Sequence, residues 1–205
     1  MNTPPYHIVT PRTVVRCYNP ADAEALHAAI VESLEHLRPS LPWAHAEPQS
    51  LDWRIAWLRN ARAKFDRDED FSYGIFAPDE SRILGAMGLH TRVSPDGLEI
   101  GYWVSAREAG KGIATEVAAA LTRVAFEVCG IRWMRIRCDI DNLASAAVPR
   151  KLGYTHEATL RGRRLTETGA PRDLMEWSLF REDFPASPAA RAELEAFDAA
   201  GRRVL

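Results

Sequence analysis

The chain has 205 residues, 46% hydrophobic and 26% charged, with 28 acidic against 26 basic side chains and a formal net charge of −2. That composition fits one globular domain and excludes a disordered, collagen-like or disulfide-stapled chain. It also provides no general basic field, so nucleic-acid binding by charge is not expected, and any bound anion must be held by local groups.

Taken in order, residues 6–18 read as a strand, with β-branched Thr13, Val14 and Val15 behind Pro11-Arg12. Pro20 opens a helix with Asn19 as its N-cap, and Ala25, Leu26, Ile30, Leu34 and Leu37 recur at helical spacing until Pro39 and Pro42 stop it. A second helix runs from about 51 to 67, with Trp53, Trp57 and Leu58 as its buried stripe. The acidic run over 66–70 reads as a solvated turn, since no EF-hand glycine or closing Glu follows it. Strands follow at 71–77, 82–93 and 98–104, separated by Pro78-Asp79 and Ser94-Pro95-Asp96-Gly97, the close turns of an antiparallel meander. The helix at 110–129 aligns Ile113, Val117, Leu121, Val124 and Val128 on one face and stops at Gly130. A strand over 131–140, a short helix over 142–152 and two strands, 154–165 and 172–180, closing around Gly169 come next. A last helix behind Ser187-Pro188 carries Leu194 and Phe197.

This order predicts a mixed α/β (α+β) fold. Only 98–104 and 131–140, joined through the 110–129 helix, can lie parallel; the rest of the sheet is antiparallel. The domain is expected over 1–184, with a helical extension over 185–205. Cys17, Cys129 and Cys138 form no CxxC pair and have no histidine at ligand spacing, so they read as reduced core thiols of a cytoplasmic protein, with no metal. No run of about 18 apolar residues predicts a membrane span, and residues 1–10 lack the basic-then-apolar pattern of a signal peptide.

The most informative stretch is Arg107-Glu108-Ala109-Gly110-Lys111-Gly112-Ile113-Ala114, between a strand and the start of a long helix. The first N–H groups of a helix have no intrahelical acceptor, and the helix dipole adds partial positive charge there. Two glycines let a ligand approach the main chain, which makes a pyrophosphate cradle with Lys111 at its rim. A Walker loop is absent. The run Gly110-Lys111-Gly112-Ile113-Ala114-Thr115 narrowly misses a dinucleotide fingerprint, but a meander before it and a strand pair near the end do not make consecutive βα units.

Four segments in this order resemble the GNAT superfamily of acyl-CoA-dependent N-acetyltransferases, in particular its RimJ/RimL branch, over roughly residues 8–182. They are Glu99-Ile100-Gly101-Tyr102-Trp103-Val104, Arg107-x-x-Gly110-x-Gly112-Ile113-Ala114-Thr115-Glu116, Asn142-x-x-Ser145 and Lys151-Leu152-Gly153-Tyr154. The resemblance implies acetyl-CoA as cosubstrate and a sheet whose central parallel pair splays apart. The pantetheine arm then pairs with main chain at Trp103 and Val104. The diphosphate takes the loop containing Arg107, Gly110, Lys111, Gly112, Ile113 and Ala114. Asn142 bonds a pantetheine amide, and Ser145 faces the sulfur. The RimJ/RimL branch implies a protein N-terminus as acceptor. A small amine such as an antibiotic or polyamine, or a non-catalytic acyl-CoA-binding module, stays open as an alternative, as does a homodimer.

The residues fit these roles. Asn142 and Ser145 are three apart on one helix face, although capping alone also accounts for Asn142. Pro149 lacks an N–H, so the carbonyl of Ser145 loses its usual partner. Glu99 is the candidate base, since a carboxylate buried in an apolar strand is expected to have a raised pKa. In the resembling family a Glu on this strand is a proposed base acting through water. His90 is its rival, histidine being the side chain that changes charge near neutral pH. Ser145, or less directly Tyr154, is placed to protonate the leaving thiolate. Acceptor selection is expected from the helices within 20–67 and the loop at 160–172. Arg161, Arg163 and Arg164 are candidates to meet acidic groups there, with Trp43 and Trp53 lining either a groove or the core.

Overall fold

The computed structural model describes residues 1–166 and 168–205. Among them, one nine-stranded sheet runs in the order β7-β8-β6-β5-β4-β3-β2-β1-β9. The predicted first strand is a hairpin instead, β1 (His7–Val9) and β2 (Val14–Cys17), paired antiparallel. Its turn is closed by the Thr10 amide donating to the Thr13 carbonyl at 2.9 Å around Pro11, which has no N–H to give.

Asn19 caps a 3-10 turn at Pro20–Asp22 in a capping box, and α1 (Ala23–Val31) and α2 (Leu34–Leu37) follow. The break between them falls at Ser33, whose hydroxyl accepts the Ala106 amide at 3.1 Å and so ties this corner to the loop after β5. Ser50 caps α3 (Leu51–Asp66). Its buried stripe is Arg54, Leu58, Ala61 and Phe65, whereas Trp53 is 43% exposed. Arg54 takes the inward place because its guanidinium meets buried Glu47 at 2.5 Å. Spacing alone does not reveal such a pair.

β3 (Phe71–Phe76), β4 (Ile83–Ser94) and β5 (Gly97–Val104) form the expected meander. α4 (Ile113–Glu127) crosses to β6 (Trp133–Asp139), which lies parallel to β5. α5 (Leu143–Lys151), β7 (Thr155–Leu165) and β8 (Pro171–Phe180) complete this half. The apolar stripe of α4 is buried against Met87, Leu89, Ile100, Met134 and Ile136 on one sheet face. α1 covers part of the other, with Leu26 and Ile30 against Val14, Phe76 and Ile83. Each such side chain fully buried contributes about 1.5–3 kcal/mol.

The predicted C-terminal helix is not formed. Ser187 caps a 3-10 turn at Pro188–Arg191, and Glu195–Phe197 is β9, antiparallel to β1. A strand edge carries unpaired N–H and C=O groups, and β9 satisfies those of β1. This long-range demand overrides local helix propensity. Among the described residues no helix is long and apolar enough to cross a membrane.

Candidate active site

The site begins where the parallel pair ends. β5 and β6 pair from Gly97 opposite Trp133 to Ile100 opposite Ile136, and no further. Both strands continue, β5 through 101–104 and β6 through 137–139, so Trp103 and Val104 lie on an edge with no strand partner on the β6 side. Strand alternation gives this split two unlike faces. Leu98, Ile100 and Tyr102 point toward α4 and α5, while Glu99, Gly101 and Trp103 point the other way.

Beyond β5, the loop bends into α4 through Gly110 at φ +77° and Gly112 at φ +83°. These left-handed conformations are what demand glycine here. A Cβ at Gly110 would meet nothing within 4 Å. The amides of Gly110, Gly112, Ile113, Ala114 and Thr115 find no acceptor among the described residues. They therefore form a run of donors without acceptors at a helix N-terminus, suited to an anion. Lys111 lies 3.3 Å from Glu108, and Arg107 lies 3.2 Å from Glu32; both basic side chains are exposed at the rim. The sequence did not single out Arg12. It reaches in from the β1–β2 turn, bonds the Lys111 carbonyl at 2.8 Å and pairs with Glu116 at 2.5 Å. An arginine nearly a hundred residues from the loop carries no local signal of this role.

On the α5 side, Asn142 caps the helix, its Oδ1 accepting the Ser145 amide at 3.0 Å. The carbonyl that Pro149 deprives of its partner takes the Tyr102 hydroxyl at 2.9 Å, and the same hydroxyl lies 3.0 Å from Ser145 Oγ. β5 and α5 are thus locked together at the split. Burial pushes the Tyr102 phenol up, against the lowering effect of Ser145. Cys138 is also pushed up, first by burial, with Ser145 again opposing. Tyr154 is not at the split: its hydroxyl shares a 2.8 Å bond with Thr122 in the core, which removes it as a proton donor to sulfur.

The opposite face corrects the expectation for Glu99. Burial does act to raise its pKa, but Arg92, Arg137 and Arg135 outweigh it and hold the carboxyl below the usual range. Arg92 Nε stands 3.0 Å from one carboxylate oxygen, and Arg135 Nη2 and Arg137 Nε stand 2.7 and 3.0 Å from the other. Arg92 arrives through an irregularity in which His90 to Ser94 of β4 opposes only Glu99 to Gly97 of β5. Glu99 is therefore a clamped anion. His90, its register partner, instead places Nδ1 2.8 Å from Asp70 Oδ1.

Past the end of β6, a cavity of about 720 Å³ is lined by parts of both regions expected to choose the acceptor, including Arg38, Leu41, His45, Asp139, Arg164 and Arg172. Buried Asp139 meets Arg164 at 2.8 Å and Arg172 at 3.1 Å. The same guanidiniums bond the carbonyls of Ser40 at 3.0 Å and Pro39 at 2.8 Å. Arg164 is thus pinned, while Arg161 and Arg163 lie exposed on β7. Trp43, 39% exposed, packs edge-on against Trp103 with ring centres 6.1 Å apart, so it borders the split. Trp53 is absent from the cavity lining. Among the described residues, no group of His, Cys, Asp and Glu is arranged to hold a metal ion.

Residues 12–155 match the family model described as "Acetyltransferase (GNAT) domain". The chain belongs to the GNAT acetyltransferase family. It is 28% identical over 178 residues to the Bacillus subtilis (strain 168) protein named "Putative ribosomal N-acetyltransferase YdaF", covering 86% of this chain and 95% of that relative. It is 26% identical over 161 residues to the ribosomal protein uS5-alanine N-acetyltransferase of Escherichia coli (strain K12), covering 76% and 81%. The solved RimL ribosomal L7/L12 alpha-N-protein acetyltransferase in complex with coenzyme A superposes with a TM-score of 0.76 at 23% identity, covering 84% of this chain and 96% of that one. The split sheet of this GNAT enzyme is therefore the frame of an acetyltransferase.

Proposed function

We propose that this acetyltransferase moves an acetyl group from acetyl-CoA to the α-amine at a protein N-terminus, within the split between β5 and β6. The observation that carries the reading is the cavity of about 720 Å³ past the end of β6, lined by Arg38, Leu41 and His45 on one side and by Asp139, Arg164 and Arg172 on the other. A chain terminus can enter such a cavity end-on. The names of two relatives, "Putative ribosomal N-acetyltransferase YdaF" and a ribosomal protein uS5-alanine N-acetyltransferase, support a protein acceptor.

In this reading the partnerless amides of the Gly110–Thr115 loop take the diphosphate, with Lys111, Arg107 and Arg12 at its rim. The free edge at Trp103 and Val104 pairs with the pantetheine amides, and Asn142 offers its side-chain N–H₂, which the helix cap does not use. Ser145 Oγ stands by the sulfur. The neutral amine nitrogen bonds to the thioester carbonyl carbon, whose π electrons move to oxygen. When that carbonyl re-forms, the C–S bond breaks and the thiolate leaves, protonated from Ser145 Oγ, which is reloaded from solvent. The surplus proton on nitrogen is released. An α-amine with pKa near 8 is about one-tenth neutral at pH 7, against roughly one lysine in 2,500, so this acceptor needs only modest basic help.

Thiol release measured with N-terminal peptides, internal-lysine peptides, polyamines and aminoglycosides tests the assignment. The expected result is saturable turnover with peptides bearing a free α-amine and loss when that amine is blocked. Preference for a small amine would overturn the acceptor class, and coenzyme A binding without any turnover would overturn catalysis.

A further inference from the structure

The clamped state of Glu99 leaves the open face of the split without its expected base, and one group there meets the geometric requirement. His90 and Glu99 are register partners, as are Gly88 and Gly101, so all four side-chain positions share that face. With no side chain at either glycine, the imidazole folds back over both. A Cβ built at Gly101 would lie 3.1 Å from His90 Nε2, and one at Gly88 would lie 2.7 Å from it. Gly101 is the first β5 residue beyond the last parallel pair, Ile100 with Ile136. The ring therefore ends at the main chain where the split opens.

Its two nitrogens are differently placed. Nδ1 is 2.8 Å from Asp70 Oδ1, while Nε2 carries no hydrogen bond among the described residues. The carboxylate fixes the tautomer with the proton on Nδ1 and the lone pair on Nε2. The charged groups facing the ring are Asp70 from the α3–β3 connection, Arg92 from β4 and Glu99 from β5. Arg135 and Arg137 from β6 lie on the same face and share Glu99 with Arg92, so Glu99 has no spare negative charge for the ring. Asp70, 31% exposed, remains to stabilise the imidazolium formed when a proton arrives.

We propose that His90, oriented by Asp70, is the general base that removes the proton from the acceptor ammonium. This rests on reading the split as the site of the thioester. The acceptor N–H bond breaks toward nitrogen, its electron pair stays as the nucleophilic lone pair, and the proton bonds to Nε2 and later passes to solvent. The chemistry divides by face: proton removal on the Gly101 side, thiolate protonation by Ser145 on the α5 side. Glu99 holds three arginines and does not titrate in the reaction.

The test compares His90→Gln, Asp70→Asn and Glu99→Gln with the wild-type chain, using acetyl-CoA and an N-terminal peptide across pH 5.5 to 9, with acetyl-CoA affinity by calorimetry. His90→Gln is expected to lower kcat about tenfold at pH 7, the factor by which the neutral share of an α-amine with pKa near 8 falls short of one. It should leave acetyl-CoA affinity unchanged and move the acid limb of kcat/KM up toward pH 8, the range of the acceptor amine itself. Part of the loss should return near pH 9, where solution supplies the neutral amine. Asp70→Asn should show the same profile with a smaller loss, about threefold. The proposal is overturned if His90→Gln keeps turnover within threefold and leaves the limb at its wild-type pH, or if Glu99→Gln alone moves that limb. Should His90→Gln not fold, an unchanged limb in Asp70→Asn overturns it equally. A wild-type chain that acetylates no amine would instead bring down the parent reading of the split.

Discussion

The loop before α4 and the open face of the sheet hold charge in opposite ways. In the loop, the amides of Gly110 and of Gly112 to Thr115 find no acceptor among the described residues. On the open face, the carboxylates of Glu99 and Asp139 are already met by five guanidiniums: Arg92, Arg135 and Arg137 at one, Arg164 and Arg172 at the other. An anion-binding site is made by leaving main-chain donors without partners. The proposed acceptor site is framed by side chains that satisfy one another, with few groups left to titrate. A buried carboxylate near a reaction centre is therefore not thereby a base; its neighbours decide.

The largest expected effect breaks the loop. Gly112→Asp forces a side chain into a left-handed position and sets a negative charge among the free amides. Calorimetry should show loss of coenzyme A affinity of at least about 100-fold, the sum of backbone strain of roughly 1–2 kcal/mol and like-charge repulsion. Affinity within a few-fold of wild type would remove the cradle.

Next in size, Asp139→Asn loosens the clamp between Arg164, Arg172 and the carbonyls of Pro39 and Ser40. We expect KM for the acceptor to rise about tenfold, one ion-pair's worth of positioning at ~1.4 kcal/mol, with KM for acetyl-CoA unchanged. An equal rise in both would show that the cluster is only structural.

Ser145→Ala sharpens the same contrast from the α5 side. It deletes the hydroxyl proposed to stand by the sulfur but leaves the Tyr102 bond to the residue-145 carbonyl. A fall in kcat of about fivefold or more, less than the usual range for a full general acid, is expected with unchanged acetyl-CoA binding. No change in kcat would exclude the role.

Glu99→Gln should have the smallest effect on turnover, under about threefold at pH 7, because histidine remains. Its effect is on stability. The folded-state pKa of Glu99 lies below its unfolded value. Its contribution is therefore present above pH ~4.5 and lost as pH falls through the lower folded value. Denaturant unfolding should show the variant less stable at neutral pH, with the gap narrowing in acid. A gap that is constant with pH would contradict the clamp.

Much of this was legible from local pattern. α4 follows its apolar stripe, the meander follows its turns, and the parallel pair follows from the only strand–helix–strand unit. Pro149 already implied an orphaned carbonyl on Ser145, though not that Tyr102 would take it. The failures share one cause. Trp53 fell outside the buried stripe of α3 and Arg54 inside it because Glu47 pairs with Arg54. The tail became β9 because β1 needed an edge partner. Glu99 stayed ionised because Arg92, Arg135 and Arg137 converge on it.

By itself, then, the amino-acid sequence determined the elements, the strand-to-helix corner with its two glycines, and the membership those motifs imply. These depend on backbone propensity and hydrophobic period, which act over a few residues. The tertiary structure alone decided which ionisable groups are neutralised and which stay available. Electrostatic partners are set by distances in space, and Arg12 with Glu116, His90 with Asp70 and Asp139 with its two arginines meet only once the sheet has formed.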